Sequence, residues 1–143
     1  MSSAPPPVTV DLADFDAIGA MSAVVLAVRS HAIESGVDAT ATVSAPDGWH
    51  EVVVGARGSG HVVLGVRYTE LSTSRRHNVS RALAQRQWQL DEDHDGVTFR
   101  FPPGTDPTTA AFEVLAALTS SGAPNAPRQV TAVDAHGTPI PLA

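Results

Sequence analysis

The chain has 143 residues, 43% of them hydrophobic, with no cysteine and a formal net charge of −6 at pH 7. This is enough apolar material for one domain with a real core. The lack of cysteine excludes disulfides, thiolate metal sites and cysteine nucleophiles, and the acidic balance argues against a general nucleic-acid binder.

Residues 1–10 open on Met-Ser-Ser-Ala-Pro-Pro-Pro and read as a mobile Pro-rich arm. The arm has neither the basic start nor the apolar centre of a secretory signal. The longest apolar run, Ala20 to Val28 interrupted by Ser22, is too short to cross a bilayer. The expectation is a cytoplasmic protein with no membrane partner.

From Asp11 the pattern turns helical. Leu12, Phe15, Ile18, Met21, Val25, Val28 and Ala32 recur at three- and four-residue intervals. The expected helix runs from about 12 to 35, capped by Asp11 and stopped at Gly36. Ala39 to Ala45 reads as a strand, followed by a Pro46-Asp47-Gly48 turn.

Trp49 to Arg57 and His61 to Tyr68 are rich in β-branched and aromatic residues, and Gly58-Ser59-Gly60 separates them. That is a β-hairpin. With Gly60 left-handed in a three-residue loop, Val54 opposes Leu64, Val52 opposes Val66, Ala56 opposes Val62 and His50 opposes Tyr68 on one apolar face. The other face pairs Glu51 with Arg67 and carries Val53, Gly55, Val63 and Gly65. A two-residue loop would set Val54 against Val63 and mix the faces, so charge pairing and burial both favour the longer loop.

Ser72 or Ser74 can cap a second helix running to about Gln87, with Val79, Ala82 and Leu83 as a thin apolar stripe beside Arg75, Arg76, Arg81 and Arg86. Trp88 to Leu90 and Val97 to Phe101 alternate with period two and form a second hairpin across an acidic loop. Asp106-Pro107 starts a third helix with a stripe of Ala111, Phe112, Leu115 and Leu118, ending by Gly122. The domain is expected over 11–122, and 123–143 is an extension with an edge strand at 129–133. The fold class is α+β, an antiparallel sheet of about five strands with helices, in the order α-β-β-β-α-β-β-α.

Asn78-Val79-Ser80-Arg81-Ala82-Leu83 leading to Trp88, the acidic Gly-containing hairpin and the Pro107-led helix follow one another within that order. Over about residues 11–121 this resembles the type III secretion chaperone-like fold, in particular the YbjN-like proteins common in actinobacteria. Gln87-Trp88 stands where those proteins usually have Gly-Trp. The resemblance implies a small α+β homodimer that binds polypeptide or regulates a partner, without catalysis.

The candidate chemistry is thin. Asp91, Asp93 and Asp95 before Gly96 match the first half of a calcium loop, but Pro102 stands where the bidentate Glu belongs and the flanks read as strands. A solvated hairpin turn is the simpler reading. Gly55 to Gly60 lacks the Lys and the following helix of a phosphate loop, and the four Arg of the second helix are too few on an acidic domain to mark a phosphate surface. The six His residues show no ligand spacing, and no strained Gly-x-Ser-x-Gly turn presents a nucleophile. The expectation is therefore a non-enzymatic protein- or peptide-binding module without cofactor, forming a homodimer. Its contact surface is either the sheet face of Val53 and Val63 or the edge of the second helix at Val79 and Leu83. The alternative is a small-molecule binder or enzyme using the sheet face as a pocket floor.

Overall fold

A computed structural model describes residues 8–44, 50–68, 72–91, 96–120 and 127–142. Among them are seven strands, β1 (Val8–Asp11), β2 (Ala39–Ser44), β3 (His50–Ala56), β4 (Val62–Tyr68), β5 (Gln89–Asp91), β6 (Gly96–Phe101) and β7 (Pro127–Asp134). Three helices, α1 (Ala17–Ser35), α2 (Thr73–Ala84) and α3 (Pro107–Thr119), complete the fold. The class is α+β as expected. The strands form one antiparallel sheet in the order β1-β7-β2-β3-β4-β6-β5.

The central hairpin follows its sequence. Val54 pairs with Leu64, Val52 with Val66, Ala56 with Val62 and Glu51 with Arg67. Gly60 is left-handed at φ 95°, and its N–H donates to the Arg57 carbonyl, 2.8 Å, so the turn needs the residue type that tolerates positive φ.

Two expectations about the ends are corrected. Val8, Thr9 and Val10 lie in β1 instead of a mobile arm; residues 1–7 fall outside the described residues. The last strand is not at an edge, because β7 inserts between β1 and β2. After β7 the chain doubles back: the Ile140 N–H donates to the Ala132 carbonyl, 2.9 Å, and Ile140 is buried.

The helix bounds also move. Helix α1 starts at Ala17, and Asp11 ends β1 with its carboxylate accepting from the Ala13 N–H, so Phe15 sits on the intervening turn, fully exposed. At the other end Gly36 is left-handed at φ 71° and donates to the Ala32 carbonyl, as its sequence position indicated. By length and composition alone α1 could cross a membrane, but Met21, Val24, Val25, Val28 and Ala32 are buried here and the helix packs on α3, β2 and β3. In α3 the buried residues are Ala110, Ala111, Val114, Ala117 and Leu118, which leaves Phe112 exposed and Leu115 half-buried.

Helix α2 ends at Ala84, where the polar run Gln85-Arg86-Gln87 begins. Ser72 caps its start by accepting the Arg75 N–H. At its end Gln87 takes φ 71°, the one non-Gly residue with positive φ among those described. The turn seats Trp88 in the core, where its indole N–H and the Arg86 guanidinium both donate to Glu113 on α3.

The helices pack on one face of the sheet. Ala39, Ala41, Val43, Val52, Val54, Ala56, Val62, Leu64, Val66, Val97, Val130 and Ala132 point there and are all buried. Side chains alternate across a strand, so their neighbours point the other way.

Candidate functional site

Among the described residues, no helix or strand covers the second face of the sheet. The pairings place its residues in rows. One row runs Ser44, Glu51, Arg67, Gly96; the next Thr42, Val53, Gly65, Thr98; the next Thr40, Gly55, Val63, Arg100. Val53 and Val63 are half-buried, and the flanking Thr40, Thr42 and Thr98 are polar but uncharged.

A hollow of about 240 Å³ lies in the middle of this face. Gly55, Gly65 and Gly96 make its floor, Val53 and Val63 stand in it, and Arg57, Arg67 and Asp38 reach its rim. The three glycines have different causes. A methyl group on Gly96 would lie 2.0 Å from the Val66 carbonyl oxygen, so the sheet itself requires glycine there. On Gly55 the nearest atom would be 3.4 Å away and on Gly65 4.0 Å away, both ordinary contacts, and neither residue has a positive φ.

A glycine inside a strand costs about 0.5–1 kcal/mol relative to alanine. The fold gains nothing visible in return at Gly55 and Gly65. Glycines in strand interiors often mark a place where a ligand or another backbone comes close.

The electrostatics are modest. Arg57 donates to Asp38, 2.7 Å, and the Gly58 N–H donates to the same carboxylate, 3.2 Å. The Arg57 hydrogen bond, then the Gly58 one, holds the Asp38 carboxyl below its usual range. Asp134 at the end of β7 is also held low: burial pushes its carboxyl up, but this is outweighed by the N–H groups of Thr138 and His136 and by His31, 3.2 Å away. Arg67 and Arg100 are exposed on the open face.

The residues singled out in the sequence separate in the fold. Val53 and Val63 come together in the hollow. Val79 and Leu83 do not form a rival surface: both are completely buried under α2, because a thin stripe on a short helix still points wholly inward. Of the calcium candidates, Asp91 ends β5, while Asp93 and Asp95 lie outside the described residues. No group of metal-ligating side chains occurs among the described residues.

Two features escaped the sequence reading. Ser59 Oγ lies 2.8 Å from His61 Nδ1, the separation of a nucleophile and base, but both sit on an exposed turn and no carboxylate orients the ring among the described residues. Arg128 is the buried charged side chain of the core, on β7 opposite Val10; its place in an apparent tail hid it.

The described residues define an α+β fold with a half-covered antiparallel sheet and a glycine-floored hollow on the open side. Comparison with protein-family models, curated proteins and solved structures returns no match.

Proposed function

We propose that the chain is a non-enzymatic protein- or peptide-binding module of the cytoplasm, chaperone-like or regulatory, whose recognition surface is the open face of β2, β3, β4 and β6. The observation that carries this is the pair Gly55 and Gly65, kept without side chains where the sheet has room for them. The edges are weaker candidates. Strands β1 and β5 span four and three residues, which offers little template for adding a strand.

The chaperone-like part of the reading draws on the element order, which the helices and strands from α1 to α3 follow. The second reading, a small-molecule binder, is favoured only by the hollow itself. Its 240 Å³ falls below the roughly 300–1,000 Å³ typical of ligand pockets, and it opens onto a flat face.

Val63→Arg places a charge in the hollow and tests both readings. Polypeptides cross-linked to the native chain in its source cell should be lost with the variant. A metabolite that stabilises the native chain against heat, with no cross-linked polypeptide, would favour the second reading.

A further inference from the structure

We propose that the occupant of the open face is a second copy of this chain, with the two sheets packed about a two-fold axis parallel to the strands and midway between β3 and β4. This rests on the reading of that face as a protein-recognition surface and names its partner.

The argument starts from a square of four residues. Val53 pairs with Gly65 and Gly55 with Val63, so large and small residues alternate as on a chequerboard. The proposed axis exchanges β3 with β4 at each level. Val53 of one copy then enters the space over Gly65 of the other, and Val63 enters the space over Gly55. Each hollow is filled by the partner's knobs, which is the interdigitation that two packed sheets require at their spacing of about 10 Å.

The surrounding charges obey the same operation. Glu51 and Arg67 face each other across β3 and β4, so the axis sets Glu51 of each copy against Arg67 of the other and closes a ring of four alternating charges. On the outer strands Thr42 meets Thr98, which matches polar with polar. The row at the hairpin end brings Arg57 toward the partner's His61, and there Arg57 is already paired with Asp38. An axis across the strands would also seat the valines. It would set Glu51 against Arg57, a guanidinium committed elsewhere.

The area is of the order a two-fold contact takes. The axis overlaps the six strands from β7 to β5; at about 4.8 Å between strands and about 3.3 Å per residue, five strands of about six residues and the short β5 span roughly 520 Å² before corrugation. A stable interface takes about 800 Å² of accessible surface per partner. Self-complementarity is what a two-fold contact demands of one patch.

The test is the solution mass of the full chain by light scattering over a concentration series. The native chain should show twice 14.8 kDa. Gly65→Val fills the hole in both copies and should raise the dissociation constant roughly 100-fold, with circular dichroism unchanged. Arg67→Glu and Glu51→Arg should each weaken the dimer, and the double variant should restore it, because the ring of charges is then only reversed. A native mass of 14.8 kDa at the highest soluble concentration overturns the proposal. So does a dimer indifferent to Gly65→Val, which would place the contact elsewhere, and a double variant that stays weak would overturn the axis. If the native chain is monomeric while Val63→Arg still loses its cross-linked polypeptides, the recognition surface stands and only its self-pairing falls; if neither is seen, both fall.

Discussion

The two faces of β3 and β4 are built from alternate residues of the same strands, yet they obey different rules. On the covered side, Val52, Val54, Leu64 and Val66 are buried to within 2% and packed under helices. On the open side, Val53 and Val63 alternate with glycines that the backbone does not require. The covered face is explained by its own fold, and the proposed reading explains the open face by something that comes to it.

The largest effect that would sharpen this contrast is at adjacent positions. Leu64→Ala removes a fully buried side chain and should cost about 2–5 kcal/mol. Val63→Ala, one residue along and facing out, should cost well under half of that in the monomer. Equal losses from urea unfolding would break the distinction between the faces.

Glycines give the next contrast. Gly96→Ala drives a methyl group against the Val66 carbonyl and should cost about 1–3 kcal/mol through forced backbone movement. Restoration by a compensating side-chain change is not expected, since the obstacle is main chain.

A smaller effect concerns acid. Asp134 and Asp38 have carboxyl groups held below the ordinary aspartate range. Groups lowered in the folded state contribute stability above their unfolded value, and that contribution is lost as pH falls through the folded value. Unfolding free energy should therefore drop as pH falls from about 4 toward 2, and Asp134→Asn should flatten part of that drop. A variant with an unchanged acid profile would show that the Thr138, His136 and His31 contacts contribute nothing to it.

The smallest effect lies in the turn after α2. A non-Gly residue in the left-handed region costs about 1–2 kcal/mol, part of which glycine returns as chain entropy. Gln87→Gly should stabilise by a few tenths of a kcal/mol up to about 1. A loss of stability would mean that the Gln87 side chain makes a compensating contact.

Local signals in the sequence were sufficient for the core of the fold and insufficient for its ends. The β3–β4 register was legible because the Gly58-Ser59-Gly60 loop and the Glu51–Arg67 pair both specify it within 18 residues of chain. Strand β1 was not, since Val8-Thr9-Val10 is short, follows three prolines and pairs with residues 127–130, some 120 positions away. The same distance made β7 look like an edge. Phe15 and Phe112 fitted helical stripes by spacing, but a turn at Asp11–Asp16 and the small residues Ala110, Ala111 and Ala117 facing the sheet put them outside. Of the site, Val53 and Val63 were legible from alternation alone. The distinction between Gly96 and the pair Gly55 and Gly65 was not, because it depends on which carbonyl lies behind each Cα.

The most direct test of the central claim is the stability of Gly65→Ala, measured by urea unfolding over a range of protein concentrations and extrapolated to the monomer. The absence of any strain at that position predicts a monomer as stable as the native one or more so, by up to about 1 kcal/mol. A clear loss of monomer stability would contradict it, because glycine would then serve the fold and the open face would need no partner to explain it.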